Sequence, residues 1–271
     1  QSIHKTYLHP ITKKDVFRLN FLAILVGIAV GYASLGFRFL IGLFQNLFLH
    51  HQFDWHLISP LDHKRGLWMF AILPAGLFAS SALIRIFAKE AQGHGIPEVI
   101  EAIRLKGGRM RARSVLVKAF SSSITIASGG SVGREGPVVQ IGSAIGSVVG
   151  QILSLDPKLI KTLVGCGASA AVAATFNTPI AAVIFAIEVI ILELKTRSFV
   201  PLVIASVFGT IVSRIHLGNE PAFFVPKYSL HGPSELVFYF ILAVLAGILG
   251  VVFIKAVYGI EDYVEDLKIP F

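Results

Sequence analysis

The chain has 271 residues, of which 54 % are apolar and only 15 % are Asp, Glu, Lys or Arg. Soluble domains usually carry about 25 % of these charged residues, so the composition argues against a soluble enzyme and against a disordered protein. The formal net charge is +8. Because the basic residues avoid the apolar segments, they indicate membrane topology rather than nucleic-acid binding, and we expect a lipid-embedded protein with no nucleic-acid partner. The single cysteine, Cys166, argues against an internal disulfide and a cysteine-cluster metal site.

Charged residues divide the chain into long neutral segments. Five of them, each 16 to 26 residues long, lie at 19–37, 66–84, 162–187, 198–213 and 236–254. A helix rises about 1.5 Å per residue, so about 20 residues cross the hydrocarbon core of a bilayer. The sequence therefore predicts an all-α, multi-pass integral membrane protein in which four of the five segments span or nearly span.

The middle of the chain is interrupted. Arg134 and Glu135 separate a neutral segment of 15 residues, 119–133, from one of 20 residues, 136–155. Lipid cannot satisfy the backbone of a broken helix, so a break at this depth must be buried in protein or line a cavity. Short, glycine-interrupted segments are also typical of substrate sites in transporters. The interruption is the first indication of function.

Basic residues set the expected orientation. The densest group lies between Lys106 and Lys118, and a second group precedes the first span. If the first two spans form a hairpin, both groups lie on one side of the membrane, which the positive-inside rule makes cytoplasmic. We expect a cytoplasmic N-terminal tail at 1–15 in a protein of the plasma (inner) membrane.

The connection at 49–66 then faces outward. Its histidines and aspartates could hold a metal, but we interpret them as a solvated loop: His50, His51, Asp54 and Asp62. We therefore expect no metal site.

Three short segments share one design. Each places small or polar residues before a proline that begins an apolar helical run: Gly93-His94-Gly95-Ile96-Pro97, Gly133-Arg134-Glu135-Gly136-Pro137 and Asn177-Thr178-Pro179. Proline suits the first helical turn, and glycine leaves backbone N–H groups uncovered. A helix start presents N–H donors and the positive end of the helix dipole, which attract anions. Several such starts would bind an anion without a fixed charge in its path.

The second of these segments resembles the signature of the CLC family of chloride channels and proton/chloride exchangers. The residues at 93–98 are similar to its partner motif, and those at 176–180 to the segment that follows. Order and spacing agree with the family from about residue 16 to about residue 264. The resemblance implies two inverted halves with tilted and broken helices, and a homodimer in which each subunit has its own pore.

The resemblance also implies a domain organisation. The first inverted-repeat half of a CLC-type fold would occupy 16–233, and the first helix of the second half would occupy 234–271. The second half of the family contributes a Gly-x-Phe-x-Pro helix start and a pore tyrosine, and neither is found in this sequence. We expect the ion site on this chain to be incomplete. Either the second half of the fold was removed by truncation, or it is a separate piece.

The resemblance assigns roles to individual residues. Glu135 is expected to be the gate, because its ionised carboxylate can occupy the anion site and block the path, whereas the protonated form swings away and can carry a proton. Arg134 is interpreted as a support for the segment. The anion is expected near these residues: His94, Gly95, Ile96, Gly133, Arg134, Gly136 and Pro137.

His94 departs from the usual pattern of the family, where a serine hydroxyl commonly binds the central anion. An imidazole N–H can also donate to chloride, and a protonated ring would bind it more strongly. Alternatively, the side chain turns away and only the backbone N–H groups of Gly95 and Ile96 serve. Anion preference depends on which alternative holds.

Glu188 and Val189 lie on the helix that follows Pro179. Exchangers of the family usually have two acids here, the second of which handles protons from the inside. Valine cannot bind a proton, so the sequence favours the channel branch, and Glu188 is interpreted as a structural residue held by hydrogen bonds in the interior. The neighbouring segments 180–192 and 200–211 are apolar on nearly all faces, which indicates a dimer interface by resemblance, or lipid exposure.

The favoured function is permeation of chloride or similar small anions through a channel-like pore gated by Glu135. The alternatives are coupled proton/chloride exchange and a half-molecule that is inactive alone. An intramembrane hydrolase is disfavoured because the histidine of the apolar stretch, His94, already lies at a helix start. We expect no enzyme activity, no catalytic residues and no cofactor, with chloride as the substrate.

Overall fold

The computed structural model describes residues 13–50, 53–54, 69–88, 92–192, 196–219 and 232–266. In these ranges the chain is helical and has no strand, which confirms the all-α prediction. The helices are α1 (Lys13–Gln45), α2 (Met69–Phe87), α3 (Ile96–Leu105), α4 (Arg113–Ala127), α5 (Glu135–Ile152), α6 (Pro157–Phe176), α7 (Pro179–Phe185), α8 (Thr196–Leu217) and α9 (Glu235–Asp266). Helices α1 and α7 continue as π-helical turns, Asn46–His50 and Ala186–Ile191.

The chain divides into two compact units, Gln1–Phe223 and Phe224–Phe271. The first contains α1 to α8, and the second contains the apolar helix α9, whose first turn is closed by a hydrogen bond of 3.0 Å from the Tyr239 hydroxyl to Glu235. The division into an inverted-repeat half and the beginning of a second half stays a prediction.

In the described ranges, five helical segments are long and apolar enough to cross a membrane: Lys14–His50, Phe70–Phe87, Pro157–Phe176, Ser198–Leu217 and Glu235–Val264. Each overlaps one of the five neutral segments of the sequence. The shortest of those, 198–213, belongs to a helix of sufficient length because α8 continues beyond Arg214 to Leu217.

Helices are interrupted at the predicted break near Arg134 and again before Pro179. Helix α4, with 15 residues, ends at Ala127, and α5 begins at Glu135, so the interruption at Arg134 and Glu135 is confirmed. Further along, α6 ends at Phe176 because Asn177 adopts a left-handed conformation with φ of 58°, which terminates a helix.

Helix α6 is the centre of the first unit and packs against α1, α5, α7 and α8. Asp156 caps its first turn by accepting a hydrogen bond of 2.8 Å from the backbone N–H of Lys158. Most of its side chains are small and buried, which lets neighbouring helices approach closely. A Cβ on Gly142 of α5 would overlap the carbonyl oxygen of Gly167 in α6, and a Cβ on Gly167 would overlap that of Gly142.

The loop after α3 is fixed to α5 by polar contacts. The Ser147 hydroxyl accepts a hydrogen bond of 2.8 Å from the Met110 N–H and donates one of 2.6 Å to the carbonyl of Gly108. The Gln151 amide donates to the Met110 carbonyl at 2.7 Å. These bonds satisfy loop backbone groups and hold the C-terminal end of α3 beside α5.

We predict that Gly142→Ala destabilises the protein, because the added methyl meets the backbone of α6 and cannot be accommodated by a rotamer change. Overpacking of this kind typically costs about 1–3 kcal/mol. The measurement is the melting temperature of the purified chain in detergent.

The matched control is Gly36→Ala in α1, where a Cβ would meet nothing within 4 Å. That substitution should leave the melting temperature unchanged or raise it, because alanine favours a helix more than glycine does. Equal melting temperatures for the two variants would contradict the contact between α5 and α6.

Candidate functional site

The first two of the three proline-containing segments, 93–97 and 133–137, contact each other at the starts of α3 and α5. A Cβ on Gly95 would overlap the carbonyl oxygen of Gly136, and a Cβ on Gly136 would overlap the carbonyl oxygen of His94. The two helix starts therefore touch backbone to backbone, which only glycine permits at these positions. The His94 side chain is exposed, whereas Ile96 and Pro137 lie at the helix starts on either side of the contact.

The turn before α3 depends on two charged residues. Gly93 and Gly95 have φ values of 97° and 103°, which side-chain-bearing residues rarely adopt. The Glu98 carboxylate accepts a hydrogen bond of 2.6 Å from the Gly95 N–H. The Lys118 ammonium, buried on α4, donates one of 2.7 Å to the Gly93 carbonyl and is attracted to Glu98. Glu98 and Lys118 thus hold the turn from both ends.

Neither Glu98 nor Lys118 is among the sequence-predicted site residues. Glu98 is the third residue of α3, the position at which a glutamate commonly reaches back to the cap, so the capping-box pattern could have identified it. The consequence concerns Gly95, whose N–H is expected from the sequence to serve an anion. In the structure it is bonded to Glu98, and an anion must compete with that carboxylate for it.

The start of α5 places Glu135 at the first helical position with an exposed side chain. Its carboxylate lies against Gly133, where a Cβ would overlap the carboxylate oxygen. The first N–H groups of a helix have no partner within it, and the dipole favours negative charge there. Such a helix start attracts an anion, and the carboxylate of Glu135 lies at this end of α5, beside Gly133.

Arg134 connects the second segment to the third. Its guanidinium lies over the Phe176 ring, 5.2 Å from the centroid, in a cation–π contact. Phe176 is the last residue of α6 and precedes Asn177. The interpretation of Arg134 as a support for the segment stays a prediction.

The start of α7 is held by α8. The Asn177 side-chain oxygen accepts a hydrogen bond of 2.6 Å from the Arg214 Nε, and its amide nitrogen donates one of 3.3 Å to Asn219. Pro179 is the first residue of α7, as the sequence predicts. The third segment is thus linked to the second through Arg134 and Phe176 and not by the backbone contact that joins α3 to α5.

Glu188 and Val189 lie on the π-helical turn Ala186–Ile191, which packs against α3. Val189 is partly buried against the core, but Glu188 is exposed. The sequence-based expectation that Glu188 is held in the interior is therefore not met in this structure. Successive side chains are rotated by a smaller angle in a π-helical turn than in an α-helix. Glu188 and Val189 therefore point in directions other than those that an α-helix would give them.

The candidate metal ligands of the loop at 49–66 are only partly described, because His51 and Asp62 lie outside the described residues. In the described ranges, no three His, Cys, Asp or Glu side chains are grouped so that they could hold a metal ion.

Comparison with known proteins identifies the family. Residues 75–271 match the family described as Voltage gated chloride channel. The curated relatives include the H(+)/Cl(−) exchange transporter ClcA of Vibrio campbellii, which is 31 % identical over 255 residues, or 91 % of this chain and 53 % of the relative. The ClcA protein of Salmonella schwarzengrund is 32 % identical over 258 residues, or 92 % of this chain and 53 % of the relative. This chain spans about half the length of these relatives.

Solved structures share the fold. A slow cyanobacterial Cl−/H+ antiporter superposes with a TM-score of 0.78 at 24 % identity, over 97 % of this chain and 60 % of that protein. A CLC-type fluoride/proton antiporter superposes with a TM-score of 0.79 at 21 % identity, over 96 % of this chain and 62 % of that protein. The fold predicted from the sequence is confirmed, and the chain belongs to the voltage gated chloride channel (CLC) family.

Proposed function

We propose that this chain forms one half of a membrane pathway for chloride or similar small anions. The observation that carries the proposal is the backbone contact between the starts of α3 and α5 at Gly95 and Gly136. It brings two helix starts to one place, where their dipoles and the N–H groups that Glu98 does not occupy attract a single small anion. The names of the curated relatives as H(+)/Cl(−) exchange transporters support the same substrate. The protein is a transporter and not an enzyme.

The proposal includes topology and assembly. The N-terminus is cytoplasmic, the membrane is the plasma (inner) membrane, and two copies associate through the apolar helices α7 and α8. Exposed apolar side chains on these helices, such as Ile180, Ile184 and Ile211, support a surface that another copy or lipid covers.

Transport is tested with chloride-loaded liposomes. The chain is reconstituted alone and together with a separately expressed second half of the Vibrio campbellii ClcA exchanger, whose own two halves, expressed separately, are the positive control. Chloride efflux with the supplied second half supports the proposal. Absence of efflux from both preparations, while the control halves transport, would refute it; efflux from the chain alone would refute only the need for a second half.

Glu135 is the proposed gate because of its location and its exposure. The carboxylate lies at the start of α5, and the exposed side chain has space in which to move away. When ionised it competes with the anion for the same N–H groups, and when protonated it does not. Glu98 is a poorer candidate, because its carboxylate is already bonded to Gly95.

We predict that Glu135→Gln gives chloride efflux that is high and independent of pH, because glutamine cannot ionise. Efflux is measured over a series of pH values from liposomes in which the second half is also supplied. The control is Glu101→Gln, which removes an exposed carboxylate whose partner is Lys106 at 2.9 Å and should retain the normal pH dependence. A pH dependence that survives in Glu135→Gln would exclude Glu135 as the gate.

Val189 supports channel-like conduction over exchange. It is packed against the core beside α3 and carries no group that can bind a proton. The names of the relatives favour the second candidate function, coupled proton/chloride exchange. The two functions differ in whether a proton gradient drives chloride.

We predict that, with the second half supplied, the reversal potential in a planar bilayer remains at the chloride equilibrium value when a pH gradient is imposed. Val189→Glu should move it toward the value for coupled exchange, because the new carboxyl can accept protons from the inside. The control is Val189→Gln. Glutamine has nearly the volume of glutamate but cannot accept a proton, so this variant should behave as the unchanged chain does. A reversal potential of the unchanged chain that follows the pH gradient would show exchange.

His94→Ser should change the relative permeation of chloride, bromide and nitrate if the imidazole contacts the anion, since it replaces a ring N–H donor by a hydroxyl. The ratios are measured from bi-ionic reversal potentials. The control is His216→Ser on α8, whose ring lies 5.4 Å from that of Tyr32. Unchanged ratios in His94→Ser would leave the backbone N–H groups as the donors.

A further inference from the structure

A small cavity lies beside Arg134, on the side of α1 and the C-terminal end of α6. Its volume is about 20 Å³. The lining residues include two arginines and two residues with hydroxyl groups, Arg38, Arg134, Ser34 and Thr175, and the others are apolar. We propose that this cavity is a second anion site, which holds one dehydrated halide ion between Arg38 and Arg134.

The charges of the lining favour an anion. Arg38 and Arg134 are both partly buried, and their guanidinium groups are close enough to repel each other. Two like charges that share a poorly hydrated space destabilise the fold unless a negative charge offsets them. Glu135 attracts Arg134 but does not line the cavity. A halide in the cavity offsets the charge of both arginines.

The hydroxyl groups lack partners. In the described ranges, neither the Ser34 Oγ nor the Thr175 Oγ1 makes a hydrogen bond, and both atoms are buried. A hydroxyl in a helix usually donates to the carbonyl one turn earlier, and a buried hydroxyl without any partner costs about 1–3 kcal/mol. Both residues line the cavity, so an acceptor placed there restores a hydrogen bond to each.

The size of the cavity selects the ligand. One water molecule needs roughly 10–15 Å³ of such space, so a cavity of about 20 Å³ admits one water molecule or one monatomic ion. Sulfate, phosphate and carboxylate ligands are too large. Because all side-chain hydrogen-bonding groups of the lining can donate and guanidinium groups cannot accept, the ligand class is a halide rather than a cation.

This site is separate from the contact between α3 and α5. Ser34 and Arg38 lie on α1 and Thr175 lies on α6, and only Arg134 belongs to the segment with the proposed gate. The proposal concerns the binding of a halide ion, so it can be tested independently of chloride transport.

The direct test is anomalous diffraction from crystals of the chain grown in bromide. We expect an anomalous peak between the Arg38 and Arg134 guanidinium groups, within hydrogen-bonding distance of the Ser34 and Thr175 hydroxyls. The peak should disappear in the double variant Ser34→Ala, Thr175→Val. It should remain in Ser169→Ala, which removes another unpartnered buried hydroxyl from α6 at a position outside the cavity. Electron density for a water molecule without an anomalous signal would overturn the proposal.

A second test uses melting temperatures in detergent, with chloride replaced by gluconate at constant ionic strength. Arg38→Gln removes the repulsion, so this variant should melt at a higher temperature than the unchanged chain in gluconate and lose that advantage in chloride. The control is Arg104→Gln, an exposed arginine on α3, for which the two anions should make no difference relative to the unchanged chain. If Arg38→Gln shows the same difference from the unchanged chain in both anions, the cavity does not bind chloride.

Discussion

The close approach of helix backbones at glycine is the constraint on which the candidate site depends. Gly95 against Gly136 fixes the start of α3 relative to α5, and Gly142 against Gly167 fixes α5 relative to the central helix α6. At these crossings no side chain separates the backbones, so the spacing cannot be relaxed by a change of rotamer. The position of the site is therefore determined by contacts deep in the first unit as much as by the residues around it.

Two carboxylates lie at these helix starts, and they differ in how strongly the protein holds them in place. Glu98 at the start of α3 is bonded to Gly95 and is attracted to the buried Lys118. Glu135 at the start of α5 is exposed and lies against glycine backbone. Both are stabilised by the positive end of a helix dipole, but only the second can leave without breaking an internal network. This difference is the physical reason for assigning the movable role to Glu135.

The sequence predicts the helices of the fold better than the contacts between them. Neutral segments identify the spans because charge in lipid is costly, and glycine and proline identify the helix starts because their backbone preferences are local. The contact between Gly95 and Gly136 joins residues about forty positions apart, and no local pattern specifies it. Glu188 is expected in the interior but is exposed in the structure, and the π-helical turn that carries it is not visible in the local sequence.

The cations near the candidate site lie beside the helix starts instead of in front of them. Lys118 directs its ammonium at the carbonyl of Gly93, and Arg134 directs its guanidinium at the Phe176 ring. Each contributes positive potential to the region of the helix starts. Under the proposed function, an anion at the helix starts meets backbone N–H groups, which attract it without the strong binding of a fully charged partner. Such an arrangement favours release as well as entry, and both are needed in a conduction path.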